Sequence, residues 1–190
     1  STQSVTLFPY TTLFRSALLR GINISGKNKI PMAELKAGFT ELGFAEAATY
    51  LNSGNVIFSS AIDDIDTLSN KIKLLIKDRF GLDIPVFVLS QELLEDIVNH
   101  APYWWGDDSK EIYDNLIFIM PPLSYEKFYE EIGNPNEEYE KSYHYKNAVF
   151  WSFCRKDYRK TNWWAKTANS NISGDITIRT ANTVRKIVGM

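Results

Sequence analysis

The pattern of apolar and polar positions predicts a strand, a helix, a hairpin, a second helix, a strand and a trailing helix within the first hundred residues. In the first helix, Met32, Leu35, Phe39 and Leu42 are spaced three, four and three apart, which places them on one face. The turn Asn52-Ser53-Gly54-Asn55 separates two β-rich runs and is typical of a hairpin. The apolar run in residues 12–20 predicts a first strand that ends at Arg20-Gly21.

The second half of the chain repeats this order. The runs YDNLIFIM, YEKSYHY, NAVFWSFC and DITIRT predict strands, and SYEKFYEEIG, KTNWWAKTANSN and NTVRKIVG predict helices. Two copies of one βαββαβ plan predict an α+β fold of two tandem, duplicated ferredoxin-like modules, with antiparallel sheets and helices on one face. We predict a first module with its trailing helix over 17–100, a linker over 101–111, and a second module with a C-terminal helix over 112–190. The other face of each sheet would be solvated, paired with the second module, or used for binding.

Composition narrows the classes of function. With 21 Lys and Arg against 23 Asp and Glu, the net charge is −2. This argues against a protein that binds nucleic acid or another polyanion through its overall charge. The single cysteine and two histidines predict no disulfide, metal site or cofactor. No apolar run approaches the roughly 18–20 residues of a membrane span, and the start has no secretory pattern. We therefore predict a cytoplasmic protein without a membrane partner, whereas its oligomeric state is not predicted.

Three segments carry a family resemblance: ALLRGINISGKNKIPMAELKAGFTELGF, TYLNSGNVIFSS and ITIRTANTVRKI. Together they resemble the bacterial domain-of-unknown-function family 1697, from about Ala17 to the end of the chain. Members of the family look like two tandem ferredoxin-like modules, and the family has no established activity to carry over. Thr180-Ala181 stand where many members have Asn-Trp, so a pocket that used this pair would be altered here.

The first sixteen residues have no counterpart in that family. The run TLFPYTTLFRS resembles sequencing-adapter read-through, which recurs in translated metagenomic genes. We therefore predict that residues 1–16 are a non-native segment and that the first strand is irregular. The alternative is a genuine strand rich in Thr, Phe and Tyr, which β-propensity permits.

The loop from Arg20 to Lys29 is the leading site candidate. It carries Arg20, Lys27 and Lys29, together with Asn23 and two glycines, and it leads into a helix. Backbone N–H groups and the helix dipole favour an anion in such a place, and an arginine can hold an oxyanion through two hydrogen bonds. The spacing from Gly21 to Lys27 imitates a P-loop, but asparagine follows where the motif needs Ser or Thr. The alternative is a solvated loop with a structural arginine.

Two further groups complete the candidate ligand-binding residues. Ser53 and Asn55 form either a simple tight turn or a polar rim near the first loop. At the C-terminal end the candidates are Arg179, Thr183 and Lys186, where Arg179 makes a structural ion pair or contacts a ligand, and Asn182 or Thr183 caps the last helix. Two tryptophan pairs, 104–105 and 163–164, fit an interface between the modules better than base stacking.

The leading hypothesis for function is a binding module for a small phosphorylated or other anionic ligand. One alternative is single-stranded nucleic-acid binding on an open sheet face, which is unfavourable because the aromatic RNP pattern is missing and the chain is acidic. The other is an enzyme of unknown reaction, for which no nucleophile, acid–base pair or metal cluster stands out, and fold alone supplies none.

Overall fold

The structure is a computed structural model, and it describes residues 13–190. Its first half contains β1 (Leu13–Leu19), α1 (Met32–Glu41), β2 (Ala45–Tyr50), β3 (Asn55–Ser60), α2 (Ile65–Phe80), β4 (Val86–Ser90) and α3 (Gln91–Asn99). Its second half contains β5 (Ile112–Ile119), α4 (Tyr125–Ile132), β6 (Glu140–Tyr145), β7 (Ala148–Cys154), α5 (Trp163–Asn169), β8 (Ile176–Thr180) and α6 (Ala181–Val188). The predicted order of elements is confirmed in both halves.

Each half forms one four-stranded antiparallel sheet. The strand orders are β2-β3-β1-β4 and β6-β7-β5-β8, so the first and third strands of each module lie at the centre. This arrangement confirms two tandem ferredoxin-like modules. It also places the end of β1, which Arg20 directly follows, in the middle of the first sheet.

Each module has its own apolar core between one sheet face and two helices. In the first module, Phe39 of α1 and Phe58 of β3 lie against each other, with ring centroids 5.2 Å apart. In the second module, Phe128 of α4 packs on Trp163 of α5 at 5.6 Å. Trp163 is therefore a core residue of its module and not part of the interface expected for it.

A third core joins the opposite faces of the two sheets. Phe87 of β4 and Phe118 of β5 lie with ring centroids 5.6 Å apart, and Trp105 packs edge-on to Phe150 of β7. The trailing helices α3 and α6 contribute Leu94, Ile97, Val184 and Ile187 to the same cluster. Of the three uses considered for these faces, pairing with the other module is the one observed. The open face required for the nucleic-acid alternative is thus covered in the part of the chain that the structure describes.

The first strand is regular, so the expected irregularity is wrong for the described residues. Leu13 to Leu18 pair in unbroken register with Ser60 to Asn55 of β3. Residues 1–12 of the predicted foreign segment lie outside the described range, and a foreign origin for residues 1–16 stays a prediction.

Arg15 fits its position in β1 poorly, as a residue of foreign origin would. It is only 3% exposed, its Nε has no hydrogen-bond partner, and its contact with the exposed Asp63 is 3.4 Å long. Replacing a poorly satisfied buried charge by an apolar side chain of similar length is often stabilising.

We expect Arg15→Met to raise the free energy of unfolding by about 1–3 kcal/mol, measured by urea denaturation. Arg79→Met is the matched control, because Arg79 forms a short ion pair with the exposed Glu41 at 2.8 Å. That control should change stability by less than about 1 kcal/mol. A loss of stability in Arg15→Met would contradict this view of Arg15.

Candidate functional site

A cavity of about 440 Å³ lies between the two modules. The first module supplies the end of β1, the turn after it and the β2–β3 hairpin, and the second module supplies β5, β8 and α5. The residues that matter below are Arg20, Ile24, Ser53, Tyr113, Asn115, Trp164, Thr177 and Arg179. Both modules are therefore needed to form the cavity.

Arg179 is held on the cavity wall by neutral acceptors from both modules. Its Nε donates to Asn55 Oδ1 at 2.6 Å, and one terminal nitrogen donates to the Leu19 carbonyl at 2.6 Å and the Ser53 carbonyl at 3.2 Å. The other terminal nitrogen donates to Thr177 Oγ1 at 2.9 Å and the Ile178 carbonyl at 3.1 Å. These bonds use all five N–H donors, so Arg179 fixes the wall and contributes charge to it.

The charge of Arg179 is poorly solvated. Its side chain is buried, and this desolvation, followed by repulsion from Arg20, lowers its pKa to about 10. The guanidinium remains protonated at neutral pH, and no Asp or Glu in residues 13–190 forms an ion pair with it. The expected structural ion pair is therefore not its role.

Arg20 is the second cation of the cavity, and it keeps free hydrogen-bonding capacity. It is half-buried, and one terminal nitrogen donates to the Ile176 carbonyl of the second module at 2.5 Å. Burial lowers the pKa of Arg20, and the nearby Asp175 opposes this shift without forming an ion pair within the described chain. Its remaining N–H groups are available to a ligand in the cavity.

Two asparagines, the buried Asn55 and the half-buried Asn23, fix the loops around these arginines. Asn55 donates to the Tyr50 carbonyl at 2.8 Å and to Ser53 Oγ at 3.0 Å while it accepts from Arg179. Asn23 donates to the Asn52 carbonyl at 2.8 Å and thereby ties the first loop to the hairpin. Both side chains are structural parts of the site rather than free groups.

Gly54 lets the hairpin lie close against β1. It has a φ of +86°, and a Cβ at this position would lie 2.7 Å from the Cβ of Leu19. A side chain here would be strained and would push the hairpin away from Arg179.

Six candidates do not line the cavity: Asn23 and Asn55, which hold the loops beside it, and Lys27, Lys29, Thr183 and Lys186. Lys27 and Lys29 are exposed, and Lys29 lines a separate depression with Asn23 and Asn52. Lys186 is exposed on α6, and Thr183 is buried there, where its N–H is 3.4 Å from Thr180 Oγ1. The cap of the last helix is thus Thr180, not Asn182 or Thr183, because Thr180 has the extended backbone of a capping residue.

Sequence reasoning identified Arg179 of β8 but missed the part of the cavity wall that β5 and α5 form. Tyr113 and Asn115 come from β5, and Trp164 comes from α5. The Trp163-Trp164 pair was the available signal, but its two members serve different purposes. Trp163 fills the core, and Trp164, which is 41% exposed, lines the cavity.

Residues 13–190 form neither a cluster of metal ligands nor a membrane-spanning helix. In that range, no three His, Cys, Asp or Glu side chains come together as a metal site. The described helices are also too short or too polar to cross a bilayer.

The fold and the site define a two-module ferredoxin-like protein with a cationic cavity between the modules. The model of the family described as "Protein of unknown function (DUF1697)" matches residues 15–150, and the chain belongs to this family. Its structure is similar to that of the conserved bacterial protein SP0830 from Streptococcus pneumoniae, with a TM-score of 0.82 and 30% sequence identity over 94% of this chain and 98% of that one. No curated protein sequence matches the chain.

Proposed function

We propose that this protein binds a small anionic ligand, such as a phosphate ester, in the cavity between its modules. The observation that carries the proposal is the pair Arg20 and Arg179, two cations on one cavity wall without an ion-pair partner among residues 13–190. Arg20 would contact the ligand, and Arg179 would hold the wall in place and add positive potential.

The electrostatics favour an anion in this place. Buried charges in proteins are normally paired, since desolvation without compensation is unfavourable. Here the lowered pKa of Arg179 records both desolvation and repulsion from Arg20. An anion in the cavity would offset both effects, and its attraction would be stronger than in bulk water because the local dielectric constant is lower.

The size of the cavity also fits this class of ligand. A volume of about 440 Å³ falls within the range of roughly 300–1,000 Å³ that is typical of small-molecule sites. The ligand is thus expected at Arg20, and not at the exposed lysines that first drew attention to the loop.

A thermal-shift screen tests the proposal, with inorganic phosphate, ribose 5-phosphate and adenosine monophosphate as the probes. We expect at least one of them to raise the melting temperature, since a ligand at 100 times its Kd adds about 2.7 kcal/mol of stability. Arg20→Ala should weaken binding about 10- to 150-fold, because a charge-assisted hydrogen bond contributes about 1.5–3 kcal/mol.

Lys27→Ala and Lys29→Ala are the matched controls, because both remove a cation from the same loop but lie outside the cavity. Both should bind as the unmodified chain does. An equal loss of binding in Lys27→Ala would move the site to the exposed loop. If none of the probes changed the melting temperature, the proposal would fail.

A further inference from the structure

We infer that the ligand of this cavity carries a flat aromatic group that stacks on Trp164, as a nucleoside 5′-monophosphate does. This inference rests on the proposed function, and it names the chemistry of the part of the ligand that Arg20 does not contact. Three features of the part of the cavity wall that β5 and α5 form carry it.

The first feature is the exposure of Trp164. A tryptophan ring is large and mostly apolar, so a ring that stays in water does not contribute the stabilisation that its burial would give. Trp105, Trp151 and Trp163 are all nearly fully buried, whereas Trp164 is 41% exposed on the cavity wall. An aromatic ligand would cover this surface.

The second feature is the fixed orientation of the Trp164 ring. Tyr158 and Phe153 pack edge-on to it, with centroids at 5.0 and 5.7 Å, and Tyr113 lies at 6.5 Å. Tyr113 is held in turn by Arg155, whose guanidinium carbon lies 4.4 Å from the ring centroid. A ring supported in this way loses little conformational entropy on binding, which favours stacking of a planar ligand.

The third feature is a buried polar side chain at the same wall. Asn115 is 2% exposed, and its amide nitrogen donates to the Tyr113 carbonyl at 3.2 Å. Asn115 lines the cavity, and within residues 13–190 no group donates a hydrogen bond to its amide oxygen. The buried side-chain atoms without a partner in this range are Arg15 Nε, Asn147 Oδ1 and Ser170 Oγ, so the amide oxygen of Asn115 is within reach of solvent. An amino or hydroxyl group on the ligand would donate to it in place of water.

Together these features describe a cavity lined by a cation at Arg20, an aromatic surface at Trp164 and an acceptor at Asn115. A phosphate ester of a heteroaromatic compound with an N–H donor matches all three. Adenosine monophosphate is the representative probe, and ribose 5-phosphate is the same molecule without the base.

Isothermal titration calorimetry with these two probes tests the inference. Base–aromatic stacking contributes about 1–3 kcal/mol, so adenosine monophosphate should bind about 5- to 150-fold more tightly than ribose 5-phosphate. Trp164→Ala should remove this ratio and leave the affinity for ribose 5-phosphate unchanged. Trp164→Phe, which keeps a ring, should preserve most of the ratio.

Tyr103→Ala is the matched control, because Tyr103 is 98% exposed and does not line the cavity. It should leave both affinities unchanged. A second measurement needs no alanine variant: adenosine monophosphate should change the tryptophan fluorescence of the unmodified chain, and Trp164→Phe should lose that change.

Equal binding of the two probes to the unmodified chain would overturn the aromatic inference and leave the proposed anion site standing. An equal loss of both affinities in Trp164→Ala, with its fold intact by circular dichroism, would also overturn it. If neither phosphate bound at all, the inference and the proposed function would both fail.

Discussion

Arg179→Ala is expected to lower the free energy of unfolding by about 3–5 kcal/mol, because it removes a buried charged group whose partners then remain buried and unsatisfied. The affected acceptors belong to both modules, among them Asn55 Oδ1 and the Leu19 carbonyl in the first and Thr177 Oγ1 in the second. The measurement is urea denaturation followed by circular dichroism.

The replacement Arg179→Lys separates charge from geometry. Lysine keeps the positive charge but offers three donors from one nitrogen, so it cannot reach the acceptors that the planar guanidinium connects. We expect Arg179→Lys to lose most of the stability that Arg179→Ala loses. Lys186→Ala is the cationic control, because Lys186 is exposed on the following helix and should change stability by less than about 0.5 kcal/mol.

A small effect of Arg179→Ala would have a clear meaning. A loss below about 1 kcal/mol would be the size of a single ordinary hydrogen bond. The modules would then be held together without this residue, and its role would reduce to the charge that it adds to the cavity.

The fold was predictable because its signals are local. The three-and-four spacing of Met32, Leu35, Phe39 and Leu42 identifies α1 from neighbouring residues alone. The same holds for the repeated order of elements, from which the ferredoxin-like topology follows. The pairing of the second sheet faces could not be predicted from neighbouring residues, because Phe87 and Phe118 belong to different modules. A partial signal was present in β3, where Val56, Ile57 and Phe58 follow one another without a polar residue, as is typical of strands covered on both faces.

The site was predictable in part. Arg20 and Arg179 were both candidates from the sequence, and the structure brings them to one cavity although they lie far apart in the chain. The positions of Lys27 and Lys29 outside the cavity were less predictable, because the path of the first loop depends on Asn23 and Asn28. Both have positive φ, and Asn28 donates to the Gly21 carbonyl at 2.8 Å.

The part of the cavity wall that α5 forms could not be predicted from spacing. Whether a tryptophan faces the core or a cavity depends on the packing of α5 against its sheet, and adjacent residues of a helix point in different directions. Trp163 and Trp164 differ in this way.

The shared core between the sheets leads to a second large effect. Phe118→Ala should lower the free energy of unfolding by about 3–5 kcal/mol, the usual range for removing a fully buried phenylalanine. Phe118 is fully buried and contacts Phe87 of the other module. Its loss should therefore weaken both sheets, and amide hydrogen exchange should become faster in β1 and β4 as well as in β5.

Phe128→Ala provides the comparison, since Phe128 is equally buried but packs inside the second module against Trp163. Phe128→Ala should lower the free energy of unfolding by a similar amount, because the same atoms are removed from a comparable environment. Its effect on exchange should appear first in the second sheet, since local opening follows the contacts that are lost. If Phe118→Ala accelerated exchange only in the second module, the paired faces would not couple the stability of the two modules. The cavity between them would then not depend on that core.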